Sequence, residues 1–345
     1  MSHSLARWSP PPEPEKPAVP YRRGFRFTAQ RVIPPPPFLG LYNNVPTGRF
    51  RDFLRENRFP GKAFLRTTNL VDYCSAAASN ALPCEQSGEA AIFDVLQELA
   101  VGDGLGRGRG SQVVTCTRQG QKGPLIAKVY DPLYYPFADE DSPHIPNDVV
   151  ARAEHDFAVE SAAYSQLDEA LGGSLIPKFH GSWLLDIPLK HLHRSVGFIL
   201  LEYIQGVPLD QLDPKSHTLE ERLRVLAMAM EAEVRLRFAG VMHEDIAPRN
   251  IICSEKNLRA KDLKVRIIDF NFVTILPLLG ADAPCTSEEL PESPMEWFWE
   301  SRPVEMRQWV PEGWGTREWN QWLKETWAGS TKFKPVQRHL LYQEQ

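Results

Sequence analysis

The sequence lacks the cysteine pattern that a disulfide framework or a zinc ribbon requires. Its five cysteines are an odd number, are widely spaced and include no C-x-x-C pair. A long apolar run is also missing: 273–279 is short and is broken by Pro277, whereas a membrane-spanning helix needs about 20 apolar residues. Residues 1–20 have no apolar core, so no secretory signal is expected. We therefore expect an intracellular protein in a reducing compartment, in the cytoplasm or alternatively in the nucleus.

An excess of positive charge is absent as well. The formal net charge is -5 and the pI is near 6.0, and the basic stretch 21–26 is short enough to be a solvated face. This composition predicts neither a nucleic-acid partner nor an acidic-membrane partner. The apolar content of 42% and the charged content of 24% are those of an ordinary globular protein. The chain of 345 residues is long enough for one two-lobed domain with an extension.

Proline is abundant, and much of it lies before residue 38. Because such a segment lacks backbone donors and buries little apolar surface, residues 1–37 are predicted to be a proline-rich, largely disordered arm. Its run Pro34–Pro37 is either a stiff spacer, which we favour, or a polyproline ligand for a binding partner. Residues 38–90 alternate between turn signals and short apolar pieces, which predicts an appendage packed on the main domain.

From residue 91 onward the hydrophobic periodicity predicts an α+β domain. Strands are predicted over 113–117, 125–130, 179–184 and 196–204, and a hairpin over 251–253 and 263–270. A helix is predicted over about 148–170, a second after the capping box Thr218–Glu221, and a short third over 316–327. The second helix is expected to end at Gly240.

Two segments carry oxygen ligands and a carboxylate in an arrangement suited to phosphoryl transfer. The first is His243-Glu244-Asp245-Ile246-Ala247-Pro248-Arg249-Asn250, and the second is Ile267-Ile268-Asp269-Phe270-Asn271. Asp245 and Asn250 lie on one predicted loop, and Asp269 ends the next strand. Hard magnesium ions need such oxygen ligands, and an attacking hydroxyl needs a proton acceptor. Each residue taken alone also has an ordinary structural explanation, such as a turn or a strand cap.

The two segments resemble the H-x-D-x-x-x-x-N catalytic loop and the D-F-G element of protein kinases. The resemblance implies that Asp245 is the catalytic base, that Asn250 binds magnesium, and that Asp269 bridges magnesium and the β/γ-phosphates. It also implies a two-lobed protein-kinase-like fold that uses ATP and Mg²⁺. The antiparallel-sheet N-lobe and hinge would span 91–205, and a mostly helical, shortened C-lobe would span 206–345.

Further parts of the resemblance follow in order along the chain. The glycine-rich turn fits G-x-G-x-x-G-x-V as Gly106, Gly108, Ser111 and Val113, with serine replacing the third glycine. Such backbone can approach phosphates closely. Lys128 lies in the following apolar strand, where a buried ammonium needs an anionic partner.

The helix after this strand offers that partner, which we expect to be Glu160, with Glu154 ranked second. The resemblance then implies a hinge in which backbone near Glu202 and Ile204 binds adenine. The segment 176–183 and the compact tail resemble, more narrowly, uncharacterised fungal kinase-like proteins. We expect the N-lobe and C-lobe residues to line one cleft.

The chain also departs from the kinase pattern. Glu244 replaces the usual arginine before the catalytic aspartate, so activation by loop phosphorylation is not expected. Arg249 matches D-x-A-x-R-N and is a candidate for stabilising the transferring phosphate. Asn271 replaces the D-F-G glycine and is expected to adopt the left-handed backbone that asparagine tolerates. No A-P-E element follows Asp269.

The end of the chain is rich in tryptophan. Seven tryptophans occur at positions 297, 299, 309, 314, 319, 322 and 327. We expect them to form hydrophobic core rather than a substrate surface.

The sequence thus predicts an ATP- and Mg²⁺-dependent phosphotransferase acting on a hydroxyl, with a protein as the favoured substrate. A small-molecule kinase is one alternative. A pseudokinase that binds nucleotide and acts as an interaction module is another, favoured by the missing C-lobe elements and the proline-rich arm.

Overall fold

The computed structural model describes residues 9–42, 62–78, 82–104, 110–138, 146–280 and 289–337. The architecture is α+β, as expected, with a large antiparallel sheet and several helices. By its internal contacts the chain divides into two compact units. Unit 1 comprises residues 1–162 and 179–203, and unit 2 comprises 163–178 and 204–345. None of the helices in the described ranges is both long enough and apolar enough to cross a membrane.

Unit 1 is built on a closed barrel of six antiparallel strands in the order β1-β2-β3-β4-β6-β5. The strands are β1 Arg26–Ile33, β2 Glu85–Ala100, β3 Gln112–Arg118, β4 Leu125–Tyr130, β5 Phe179–Leu189 and β6 Leu192–Glu202. Strand β1 closes the barrel by pairing with β2 on one side and with β5 on the other. Register shifts in β1 and β2 bend these strands, which closure requires.

The interior of the barrel is filled by aromatic rings. Phe93, Trp183 and Phe198 are fully buried. The ring of Phe93 meets those of Trp183 and Phe198 edge-on, at 5.2 and 5.5 Å between centroids. Edge-to-face contacts of this kind stabilise a core beyond simple burial. The alternating pattern of the strands therefore supplies one apolar face that closes on itself.

Three helices and two 3-10 turns complete the described part of unit 1. The helices are α1 Lys62–Thr67, α2 Leu70–Ala78 and α3 Val149–Leu171, of which α3 continues into unit 2. The 3-10 turns are Gly40–Tyr42 and Pro132–Tyr134. Asp148 begins α3, because its Oδ1 accepts a hydrogen bond from the amide of Ala151 at 3.0 Å. The same oxygen accepts from the Tyr73 hydroxyl at 2.5 Å, which ties α2 to the start of α3.

The structure differs from the expected disorder of residues 1–37. Residues 26–33 form β1, and Tyr21 is buried with its hydroxyl 2.7 Å from Asp131 Oδ2. Arg194 donates to both oxygens of the same carboxylate, at 3.1 and 2.8 Å. The high proline content predicts disorder here. It gives no sign of the strand β1 or of the tyrosine that bonds to the buried Asp131–Arg194 ion pair.

The segment after the proline run is anchored as well. His155 on α3 accepts hydrogen bonds through Nδ1 from the amides of Phe38 and Leu39, at 3.4 and 3.2 Å. Burial lowers the pKa of His155 to about 4, so its ring is neutral and able to accept. Pro37 is buried, which fits a spacer that leads β1 to this anchor. Strand β2 begins at Glu85, so the boundary expected at residue 91 falls inside a strand.

Unit 2 has a long helix and short strands. Helix α4 Leu219–Phe238 begins with the predicted capping box, since Thr218 and Glu221 bond reciprocally, and Gly240 follows its end at a φ of +93°. The strands are β7 Val207–Pro208, β8 Val241–His243, β9 Ile251–Cys253, β10 Val265–Ile267 and β11 Val273–Ile275. Strands β9 and β10 form the predicted hairpin, β7 joins its edge, and β8 pairs with β11. Helices α5 Pro294–Trp297 and α6 Thr316–Trp327 follow.

The tryptophan-rich tail packs as core. Trp309, Trp319, Trp322 and Trp327 are buried, which confirms the expectation for these four positions, whereas the other three tryptophans of the tail are half-buried. The indole N–H of Trp327 donates to Glu231 Oε1 at 3.1 Å, and that of Trp297 donates to Glu233 Oε1 at 3.0 Å. Both acceptors lie on α4. The tail is therefore held by apolar burial together with indole hydrogen bonds to α4.

The buried Asp131–Arg194 pair should contribute measurably to the stability of unit 1. In Asp131→Ala the Arg194 guanidinium is left buried without its carboxylate, which is expected to lower the free energy of unfolding by about 3–5 kcal/mol. The matched control is Asp94→Ala, which removes an exposed pair with Arg26 at 3.7 Å and should cost at most about 1 kcal/mol. Urea unfolding measures both; equal small losses would contradict the assignment.

Candidate active site

In unit 2 the carboxylate of Asp245 is held at both oxygens. Asn250 Nδ2 donates to Asp245 Oδ2 and to the Asp245 backbone oxygen, each at 2.9 Å. Arg249 donates to Oδ1 at 2.5 Å. The side chain of Asp245 is 27% exposed, so solvent or a substrate can reach it. The predicted base and two of its predicted companions therefore lie together in one loop, between β8 and β9.

A neutral histidine organises this loop. His243 is buried, and its Nδ1 accepts from the backbone N–H of Asp245 at 3.2 Å. Its Nε2 must then carry the hydrogen, which it donates to the Ile268 carbonyl oxygen at 3.2 Å. Burial lowers the pKa of His243, and this effect outweighs the opposing charges of Asp269 and Asp245. His243 thus connects the two motifs as a neutral hydrogen-bond bridge.

The backbone brings the second motif next to the first. The Ile268 amide donates to the Asn250 carbonyl oxygen at 2.9 Å, and Asp269 follows directly. Phe270 is fully buried, with its ring 4.9 Å from those of His243 and Tyr164. The left-handed backbone expected at Asn271 occurs instead at Asp269, whose φ is +69°. A non-glycine residue in this region is uncommon and is held by its surroundings, here by the buried Phe270.

Asn250 and Asp269 are suitable in kind as magnesium ligands. The amide nitrogen of Asn250 is directed at Asp245, which leaves its side-chain oxygen as the atom for a cation, and Asp269 supplies a carboxylate. Among the described residues, no group of three or more His, Cys, Asp or Glu side chains is placed to hold a metal ion. Magnesium that is bound with substrate phosphates commonly has only one or two carboxylate ligands from the protein.

Glu244, which stands where protein kinases have arginine, is directed to strand β11. Its Oε1 accepts from the Thr274 hydroxyl at 3.0 Å, and its amide donates to the Phe272 carbonyl oxygen at 3.1 Å. Burial raises the pKa of nearby Glu233, and the charge of Glu244 raises it further. Glu244 thus places an acidic side chain beside Asp245, directed toward strand β11.

In unit 1 the structure pairs Lys128 with Glu160, the first of the two expected partners. Their side chains approach to 2.6 Å, with exposed fractions of 8% and 0%. Tyr130, two residues along β4, donates its hydroxyl to the same Glu160 oxygen at 2.5 Å. Glu154, the second-ranked partner, instead lines a cavity of about 250 Å³ between α3 and the barrel. Buried charges require such pairing and hydrogen bonding.

The other predicted nucleotide-binding residues fall in three places. Gly106 and Gly108 lie outside the described residues. Ser111 immediately precedes β3, and Val113 lies opposite Lys128 in the pairing of β3 with β4. Glu202 ends β6 opposite Leu125. Unit 1 ends at Tyr203, and Ile204 begins the second segment of unit 2.

Comparison of the sequence with models of known protein families finds no match. The chemical interpretation therefore depends on two clusters described above. One comprises Lys128, Glu160 and Tyr130 in unit 1, and the other comprises Asp245, Arg249, Asn250, His243 and Asp269 in unit 2.

Asp156 is an acidic residue near the Lys128–Glu160 pair that the sequence patterns did not single out. It lies one helical turn before Glu160 on α3, and its Oδ2 accepts from the Tyr135 hydroxyl at 3.2 Å. Burial raises the pKa of Asp156 to about 7, although the charges of Arg152 and Lys128 act to lower it. The spacing of four between Asp156 and Glu160 was visible in the sequence. Its significance was not, because burial cannot be inferred from spacing alone.

Asp156 should make stability depend on pH near neutrality. Its folded pKa is raised above the unfolded value near 4, so its stabilising contribution is complete below that value and is lost as pH rises through about 7. Asp156→Asn cannot ionise. The free energy of unfolding of the variant minus that of the wild type should therefore be larger at about pH 8 than at about pH 5, by on the order of 1 kcal/mol or more.

Asp72→Asn is the matched control. Hydrogen bonds from Lys190 and Asn69 lower the pKa of Asp72, so this group is ionised in both folded and unfolded states across the same pH range. Its effect should be equal at both pH values in chemical unfolding experiments. An Asp156→Asn effect that is likewise independent of pH would refute the assignment.

Proposed function

We propose that the protein is an ATP- and Mg²⁺-dependent phosphotransferase of the protein-kinase-like superfamily that transfers the γ-phosphate to a hydroxyl, with a protein as the favoured substrate. The observation that carries the proposal is the fixed position of the Asp245 carboxylate in the loop between β8 and β9. A half-buried carboxylate is fixed there by Asn250 and Arg249, and the backbone joins Asn250 to the residue before Asp269. The lysine–glutamate pair of unit 1 supports the proposal independently.

Each residue has a role in this proposal. Asp245 orients the acceptor hydroxyl and takes its proton, because its carboxylate is both positioned and reachable. Asn250 and Asp269 would hold Mg²⁺, which would neutralise charge on the phosphates. Lys128 pairs with phosphate oxygens while Glu160 and Tyr130 keep its ammonium in place. Arg249 supplies positive charge beside the transferring group.

The backbone near Glu202 and Ile204 would bind adenine, and the backbone near Ser111 and Val113 would face the phosphates. Catalysis of this type consists of positioning and electrostatic stabilisation, which is what fixed polar side chains supply.

A nucleotide-binding module without turnover is the second candidate. It is favoured by the contacts that Arg249 and Asn250 make with Asp245, since both carboxylate oxygens already accept hydrogen bonds. In that case the same residues bind Mg²⁺–ATP and the protein acts through a partner. A small-molecule acceptor remains the alternative to a protein acceptor within the first candidate.

Asp245→Asn is the direct test of catalysis. With magnesium and labelled ATP, the wild type should transfer or slowly hydrolyse phosphate, and the variant should lose about 10²–10⁴-fold because the proton acceptor is gone. Asp262→Asn, an exposed aspartate elsewhere in unit 2, is the control and should keep full activity. Equal turnover in Asp245→Asn and the wild type would exclude Asp245 as the base.

Asp269→Asn tests binding separately from turnover. Asparagine tolerates the left-handed backbone at this position, so the change removes the charge while retaining the turn. Saturating Mg²⁺–ATP at about 100 times its Kd should stabilise the wild type by about 2.7 kcal/mol in thermal unfolding, and the variant much less. Binding with no turnover at all would favour the nucleotide-binding module. No stabilisation of the wild type would reject both candidates.

A further inference from the structure

A single buried side chain joins the two ends of the glycine-rich connection between β2 and β3. Gln112 is fully buried, and its Oε1 accepts from the Gly102 amide at 2.8 Å. Its Nε2 donates to the Gly110 carbonyl oxygen at 3.4 Å. The orientation of the amide is dictated by chemistry, because Gly102 offers a donor and Gly110 an acceptor. Both polar atoms of Gln112 are thus used to bond the described ends of this connection, at Gly102 and Gly110.

Tyr134 and Tyr135, which follow β4, pack closely against Gly104 and Gly110 near the two ends of the connection. A Cβ on Gly104, whose φ is +75°, would lie 2.8 Å from the Tyr135 carbonyl oxygen and 2.9 Å from that of Tyr134. A Cβ on Gly110 would lie 2.3 Å from the Tyr135 ring. Glycine is therefore required at both positions by contact with Tyr134 and Tyr135, and not only by turn geometry.

Tyr135 also connects these ends to helix α3. It is buried, and its hydroxyl donates to Asp156 Oδ2 at 3.2 Å. Asp156 lies one turn from Glu160, the partner of Lys128. Lys128 in turn lies opposite Val113, the residue after Gln112. Hydrogen bonds, strand pairing and the spacing of one helical turn therefore relate the ends of the glycine-rich connection to the lysine–glutamate pair, entirely within unit 1.

We propose that Gln112 and Tyr135 are positioning residues that set the backbone of Gly110 and Ser111 relative to Lys128, so that these groups bind nucleotide phosphate together. The inference rests on the proposed function, since it assigns these residues to its phosphate site. Neither side chain needs to touch the nucleotide. Because they act on phosphate binding, their loss raises the KM for ATP and leaves kcat nearly unchanged.

The test uses Gln112→Met and Tyr135→Phe in the full-length chain. Methionine has a similar volume to glutamine but makes neither hydrogen bond, and phenylalanine removes only the hydroxyl. We expect a roughly tenfold rise in the KM for ATP with Gln112→Met and a rise of about two- to fivefold with Tyr135→Phe, with kcat changed less than about twofold in each. Gln97→Ala, an exposed glutamine on β2, is the control and should behave as wild type.

Amide hydrogen exchange is measured on the same proteins without nucleotide. The Gly102 amide should lose protection in Gln112→Met relative to the wild type, because it donates to the Gln112 side chain, while the barrel strand β6 should not. Unchanged exchange at Gly102 would show that the Gln112 side chain does not hold the Gly102 amide, and would overturn the inference at its first step. Lost protection with an unchanged KM for ATP would overturn its role in phosphate binding. A loss of kcat equal to the change in KM would also overturn it, since that pattern indicates general damage to the site.

The failure of this inference is distinguishable from that of the proposed function. If the wild type neither binds nor turns over ATP, the proposed function fails and the phosphate-positioning role fails with it. The exchange experiment still decides whether Gln112 holds the ends of the connection. If the wild type binds ATP and Gln112→Met binds it equally well, only the further inference is rejected.

Discussion

The contact on which unit 1 depends is the buried pair of Lys128 and Glu160. An ammonium and a carboxylate withdrawn from water each carry a desolvation cost of several kcal/mol, which is offset only by close pairing and additional hydrogen bonds. The 2.6 Å approach and the Tyr130 hydroxyl provide both. The pair joins strand β4 of the barrel to helix α3. One turn before Glu160 on the same helix, Asp156 accepts a hydrogen bond from Tyr135.

Unit 2 uses a different device, a neutral histidine. His243 contributes no charge, and its two nitrogens join the amide of Asp245 to the carbonyl of Ile268. A charged imidazolium could not accept from the Asp245 amide, so the depression of its pKa by burial preserves the loop geometry. The charge in this cluster therefore lies on Asp245, Arg249 and Asp269 and not on the histidine that joins them. A fixed arrangement of this kind is what electrostatic catalysis requires.

Much of the local structure could be predicted because it depends on neighbouring residues. The capping box of Thr218 and Glu221, the turn at Gly240 and the strand 125–130 all appear where local patterns indicated. The burial of Trp319 and Trp327 followed from their helical spacing. By contrast, the pairing of β1 with β5 joins residues about 150 positions apart, and no local signal specifies such a partner.

The candidate site divides in the same way. The identities of Asp245, Asn250 and Asp269 came from short motifs, but the fact that Asp269, not Asn271, adopts left-handed backbone came from the packing of Phe270. Lys128 and Glu160 were predicted as partners because a buried charge demands one. The roles of Gln112 and Tyr135 were not predicted. No sequence pattern distinguishes a strand glutamine or a loop tyrosine that holds neighbouring backbone in place from one that lies at the surface.

The sequence by itself determined the chemical groups, the periodicity of the long helices and strands, and the need for a counter-ion at Lys128. Only the tertiary structure decided that the N-terminal segment is part of the barrel, with Tyr21 completing the Asp131–Arg194 pair. It also decided which glycines are irreplaceable and which carboxyl, Asp156, is held near its point of titration. The reason is physical: local propensity depends on adjacent residues, whereas desolvation and steric exclusion depend on groups that only folding brings together.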